Sequence, residues 1–117
     1  MDRLKGKTIL VVEDDFFIAT DLCRSLAAEG GKVLGPVGRI EDALGLITQS
    51  DHIDAAFVDL NLHGVMAYAV ADALTERSIP FLIVTGYDSA AIPERFKSIA
   101  HCQKPIALDK AFILLFG

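Results

Sequence analysis

Short apolar runs alternate along the chain with stretches of helical period, and no Ser-rich or Pro-rich linker separates them. The runs occupy residues 8–12, 32–35, 55–59, 81–85 and 99–103. Each is nearly continuous in apolar character, the pattern of a strand covered on both faces in a parallel sheet. Between them Ile18, Leu22 and Leu26 recur at helical spacing and lead to Gly30, where a helix C-terminus favours a left-handed residue. Ile40, Ala43, Leu44 and Ile47 form a second stripe, and Met66, Val70, Ala73 and Leu74 a third. The segment after Tyr87 is less regular, because Pro93 must sit in the first turn of any helix there. Residues 108–116 are apolar nearly all round. Strand and helix thus alternate five times at a spacing of roughly two dozen residues, as βαβ units with right-handed crossovers require. The pattern predicts a (βα)5 doubly wound α/β sheet.

Composition narrows the reading to one module. The 117 residues, 52% hydrophobic and 23% charged, can build one core but not two. Eleven basic residues against sixteen acidic ones leave a formal charge of -5, so no basic footprint favours nucleic acid or anionic lipid. Residues 1–7 contain no apolar signal core, and no run approaches the ~20 residues that a bilayer span needs. A cytoplasmic protein, neither exported nor membrane-bound, is expected. Cys23 and Cys102 show no CxxC spacing and fall in predicted helix and strand, which fits two reduced core thiols better than a disulfide or a zinc site.

In a doubly wound sheet, ligands collect beyond the carboxyl ends of the strands. The first run leads into Glu13-Asp14-Asp15, the third into Asp59-Leu60-Asn61, the fourth into Thr85-Gly86-Tyr87 and the fifth into Gln103-Lys104-Pro105. A single Asp after a strand is usually just solvated. Several strand ends with complementary chemistry argue instead for a shared pocket of carboxylates, a hydroxyl and an ammonium. Clustered carboxylates raise one another's pKa unless a cation neutralises them. Oxygen ligands, with no His or Cys suitably placed beside them, suit Mg²⁺. Asp59 is the best nucleophile candidate, since a carboxylate can take a phosphoryl group as an aspartyl phosphate. Such a transfer needs alignment and charge neutralisation, which Mg²⁺, the Lys104 ammonium and the Thr85 hydroxyl would supply from three sides.

These residues, in this order and spacing, resemble a receiver domain of the two-component response regulators along the whole chain. The resemblance implies a flavodoxin-like sheet in strand order 2-1-3-4-5, with residues 1–117 forming one receiver domain and no output domain. By the same resemblance Glu13 and Asp14 match the acidic pair that organises Mg²⁺, Asp14 as a direct ligand and Glu13 through water. Asp59 matches the phosphoacceptor and metal ligand, and Asn61 the residue whose backbone carbonyl reaches the metal. Thr85 matches the switch hydroxyl and Lys104 the family's lysine, whose bond to the following proline, here Pro105, is typically cis. Asn61 and Tyr87 match residues that flank the path of water in the family and, with Gly86, are expected to tune phosphate lifetime. The implied donor is a sensor histidine kinase or a phosphotransfer protein, and the output is protein contact or phosphate traffic. The stretches Leu34-Gly35-Pro36-Val37, Asp59-Leu60-Asn61-Leu62-His63-Gly64 and Ile83-Val84-Thr85-Gly86-Tyr87 are similar to stand-alone alphaproteobacterial receivers associated with general stress signalling.

Three positions depart from the family pattern. His101 stands where most receivers carry the Tyr or Phe that swings inward after phosphorylation, so it is either a histidine switch or a partly exposed strand residue. On a strand it faces away from Cys102, which argues against a shared metal. His63-Gly64 replaces a common proline; the expectation is a solvated loop histidine, with contact to the phosphate as the functional reading. The run Ile113-Leu114-Leu115-Phe116 is apolar on more faces than one sheet covers. A homodimer through the surfaces of the fourth and fifth units, or a target protein, would cover it; a poorly packed final helix is the plain alternative. Two other functions compete. A haloacid-dehalogenase-type aspartate phosphatase needs a general acid two residues after its nucleophile, where this chain has Asn61. A binding-only pseudo-receiver would have no reason to keep a repulsive acidic cluster. Gly30-Gly31-Lys32 is no phosphate-binding loop, because Val33 follows and the segment enters a strand.

Overall fold

The computed structural model describes residues 2–86, 92–104 and 106–116. Five parallel strands form the central sheet: β1 (Thr8–Val12), β2 (Lys32–Val37), β3 (Ala55–Asp59), β6 (Phe81–Thr85) and β7 (His101–Gln103). A separate antiparallel pair, β4 (Asn61–Leu62) and β5 (Val65–Met66), follows β3. The helices are α1 (Phe16–Ala28), α2 (Ile40–Gln49), α3 (Tyr68–Glu76) and α4 (Leu108–Phe116). Sheet order is β2-β1-β3-β6-β7, which is the expected 2-1-3-4-5 once the small pair is set aside.

Alternate residues of each strand enter opposite cores, as the period of two demands. On one face Leu10, Val12, Ala56, Val58 and Ile83 meet Ala43 and Ile47 of α2 and Val70, Ala71 and Leu74 of α3. On the other, Ile9, Val11, Phe57, Leu82 and Val84 meet Leu22 and Leu26 of α1 and Ala111 and Phe112 of α4. The strands were readable as continuous apolar runs because both faces are covered. Helix α1 opens on Asp15, whose side chain accepts a hydrogen bond from Ile18 N at 3.0 Å and aims the N-terminal turn at the carboxyl edge of the sheet.

Several expected boundaries shift. Strand β2 runs past Gly35 to Val37 through a cis Gly35–Pro36 peptide, and its pairing with β1 is irregular between Leu10 and Val12. Edge position permits this, since a proline there removes no central ladder bond. Strand β7 is shorter than residues 99–103, although Ala100 O still accepts from Ile83 N. Met66 is exposed on the small hairpin and does not start α3; that helix buries Ala71 in place of Ala73. Among the described residues the fourth crossover contributes only a 3-10 turn at Glu94–Phe96, with Pro93 as its cap residue, so four α-helices stand where five were expected. Cys23 and Cys102 are unbridged and half-buried rather than fully buried, and burial raises both thiol pKa values. Helix α4 buries Ala111 and Phe112 but leaves Ile113, Leu114 and Phe116 exposed, as its apolar excess implied.

Candidate functional site

The parallel registers bring distant residues to one edge. Pairing of Val12 with Val58 and of Asp59 with Val84 sets the end of β1 beside Asp59 and Asp59 beside the end of β6. Pairing of Thr85 with Gln103 then brings in Lys104, whose backbone N donates to Thr85 O at 2.8 Å. Around this edge lies a cleft of about 610 Å³ whose lining includes Asp14, Asp59, Asn61, Thr85 and Lys104.

One ammonium serves two buried carboxylates here. Lys104 Nζ donates to Asp59 Oδ2 at 2.8 Å and to Glu13 Oε2 at 3.1 Å, and lies 2.9 Å from Glu13 Oε1. Glu13 and Asp59 are only 5% and 4% exposed. Burial pushes the Glu13 carboxyl up to about 7, with the Asp59 charge adding to the rise against the Asp15 N–H and Lys104. Burial works against the Lys104 charge, yet hydrogen bonds to Asp59 and Glu13 outweigh it and hold the ammonium above its ordinary value. Asp59 Oδ1 accepts from Asn61 N at 2.9 Å, so both oxygens of the carboxylate are oriented.

Glu13, Asp14 and Asp59 each offer an oxygen, and these atoms lie within 4.8 Å of one another. Glu13 Oε1 is buried, and among the described residues its one close cationic neighbour is the Lys104 ammonium at 2.9 Å, which does not meet it in hydrogen-bond geometry. Three hard oxygen donors with a shortfall of positive charge fit a divalent cation. Thr85 Oγ1 is likewise buried without a hydrogen-bond partner among the described residues, a donor waiting beside the cleft. Gly86 is exposed, and a Cβ added there would meet open space, so a larger side chain fits over the cleft mouth.

The structure brings together Glu13, Asp14, Asp59, Asn61, Thr85 and Lys104 as the strand-end argument expected. His101 is not among them: it is exposed on β7, its Nδ1 3.4 Å from Ile99 O, and does not line the cleft. Tyr87 and Pro105, with its expected cis bond, lie outside the described residues. What the sequence reading missed is the hairpin after Asp59. His63 and Gly64 both take positive φ, 51° and 83°, and form its tip; Asn61 Oδ1 accepts from Gly64 N at 2.7 Å. His63 N donates to Asp14 Oδ2 at 2.7 Å, and the ring Nδ1 stands 3.3 Å from the same oxygen. The ring is exposed as expected, but the residue anchors an acidic group, and the expectation that no histidine stands beside the oxygen donors is corrected. The signal was present as two turn-forming residues between short apolar pairs.

Neither a family model nor a curated protein matches the chain. Solved structures do. SdrG from Sphingomonas melonis Fr1 is 35% identical over 100% of both chains with a TM-score of 0.84. The BeF3-activated conformation of SdrG from Pseudomonas melonis Fr1 is 35% identical over 94% of this chain and 96% of that one, TM-score 0.79. The non-phosphorylated HemR receiver domain from Leptospira biflexa is 25% identical over 94% and 91%, TM-score 0.75. The chain belongs to the response regulator receiver family, phosphoacceptor modules of two-component signalling.

Proposed function

We propose that Asp59 is the phosphoacceptor of this module and that Glu13, Asp14 and Asp59, with the Asn61 carbonyl, hold Mg²⁺ beside it. The observation that carries this is the pairing of a buried, doubly oriented carboxylate with one ammonium in an otherwise acidic cleft. An Asp59 oxygen attacks phosphorus in line; the P–N bond to a phosphohistidine breaks, and the imidazole leaves with the electron pair and takes up a proton. The cation, when bound, offsets charge on the phosphoryl oxygens. Lys104 must release Asp59 Oδ2 and follow the charge onto a phosphoryl oxygen, a short move for a flexible ammonium. Among the described residues Thr85 Oγ1 has no competing bond to break before it donates to the new group. Its inward pull would bias the segment after β6, changing the surface offered to partners by a population shift.

The proposed donor is a histidine kinase or phosphotransfer protein in the cytoplasm. Phe16 and Phe17, 72% and 77% exposed where α1 leaves the cleft edge, give such a donor an apolar rim to meet. No helix among the described residues is long and apolar enough to cross a membrane. Output passes through protein contact or phosphate transfer, not turnover of a small substrate, and residues 1–117 act as one unit. BeF3, the activator named for SdrG, is a phosphoryl-sized group, which supports the same chemistry here. Incubation with acetyl phosphate and Mg²⁺ tests the reading: intact mass should rise by one phosphoryl group in the wild type and stay unchanged in Asp59→Asn or in excess chelator. Equal uptake by Asp59→Asn would overturn it.

A further inference from the structure

Tyr68 and Asp72 stand one turn apart on α3 and share a face. Arg95, on the 3-10 turn of the fourth crossover, meets both. Its Nε donates to Asp72 Oδ1 at 3.2 Å and its Nη2 to Asp72 Oδ2 at 3.1 Å, a two-pronged pairing that a lysine could not make. The guanidinium also lies over the rings of Phe96 and Tyr68, 4.4 and 5.7 Å from their centroids. Those two rings pack on each other with centroids 6.1 Å apart. The neighbouring charges are engaged locally, Glu94 with Lys97 at 3.1 Å. Beneath this contact the same segment reaches the cleft. Ile92 and Phe96 are buried in the core that also holds Ile83 and Val70, and Ile92 lines the cleft with Thr85. A shift of Thr85 toward a phosphoryl group therefore disturbs Ile92, three residues before the side chain that ties the segment to α3.

We infer that Arg95 and Asp72 form a clasp that holds the fourth crossover against α3 in the unphosphorylated protein, and that the phosphoryl-driven shift must open it. The inference rests on the phosphoacceptor reading for its trigger, not for the clasp itself. A group that drives a two-state shift spends part of its differential interaction on every contact the shift breaks. Removing the clasp therefore tightens apparent binding of a phosphoryl mimic while loosening the resting segment. Both partners are about half exposed, 55% for Arg95 and 48% for Asp72, so the effect is several-fold and not hundredfold.

Titration with BeF3 at fixed Mg²⁺, followed by NMR, tests this in wild type, Arg95→Met, Asp72→Lys and the double variant Asp72→Lys with Arg95→Glu. The half-saturating concentration should fall roughly fivefold in Arg95→Met, which loses both the ion pair and the ring contacts. It should fall in Asp72→Lys as well, and the double variant, its charges exchanged, should return to within about twofold of wild type. A contact kept in both states would lower stability on removal yet leave this midpoint in place. Hydrogen exchange of the unmodified protein reads the hold directly. The N–H groups of Phe96 and Ile99, bonded to Pro93 O and Phe96 O, should exchange faster in Arg95→Met by a similar factor. An Arg95→Met midpoint within about 1.5-fold of wild type or above it, or unmoved exchange at Phe96 and Ile99, overturns the proposal. Accelerated exchange in a protein that never responds to BeF3 would count against the phosphoacceptor reading and for the clasp.

Discussion

In the metal-free protein, raising the pH from 5 to 8 should cost stability, and Glu13 should carry most of that loss. Its carboxyl rises from 4.5 to about 7 on folding, because it is buried with Asp59 beside it. A group whose folded value exceeds its unfolded one binds its proton more tightly when folded. Its contribution is therefore complete below about 4.5 and disappears as pH passes through about 7. At 1.36 kcal/mol per pH unit the full span corresponds to roughly 3 kcal/mol, an upper figure because the charges of Asp59 and Lys104 act on Glu13 in opposite directions. The other perturbed carboxylates and Lys104 do not intrude on this window. Asp54 and Glu29 are lowered, the first mainly by the Thr8 N–H and the second by Arg3, and act below their ordinary range; Lys104 is raised and stays charged throughout. Urea unfolding at fixed pH values in chelator should give a midpoint that falls across pH 5 to 8 in the wild type and holds nearly level in Glu13→Gln. Saturating Mg²⁺ should restore the wild-type midpoint at pH 8 by mass action. An equal decline in Glu13→Gln would refute the reasoning, since the charge held responsible would be gone.

Three further outcomes follow from the same geometry. Lys104→Met leaves Glu13 and Asp59 facing each other without their ammonium, so metal-free stability at pH 8 should drop by about 2–3 kcal/mol, and by less at pH 5 where Glu13 holds a proton; denaturant midpoints at the two pH values check it. Thr85→Val removes a hydroxyl buried without a partner, so the unmodified protein should gain about 1 kcal/mol while the spectral response to BeF3 weakens, as paired urea and NMR measurements would record. Gly35 takes φ +95°, and an added Cβ would lie 2.8 Å from Val11 O and 2.9 Å from Val37 N, both backbone. Gly35→Ala should thus cost about 2 kcal/mol or more in thermal or urea unfolding.

Much of this was legible before any coordinates. The central strands read directly because burial on both faces forces continuous apolar runs, as in Ala55–Asp59, where every residue is buried. The site followed from topology: once the strands are parallel, residues 13, 59, 85 and 104 must meet at one edge. What escaped was local. The hairpin at Asn61–Met66 consists of strands too short for a periodic signal, so Met66 counted toward the next helix although only Tyr68–Glu76 is helical. The grip of His63 on Asp14 runs through a backbone N–H, which side-chain identity does not announce. The end of β2 is an edge, where Pro36 interrupts the pattern without ending the strand.

The most direct measurement is chemical trapping of the acyl phosphate. After incubation with acetyl phosphate and Mg²⁺, borohydride reduces an aspartyl phosphate to homoserine, and peptide mapping by mass spectrometry locates it. Homoserine at position 59, and at no other acidic position, is the predicted result; homoserine at Asp14 or Asp15, or at none, would contradict the account.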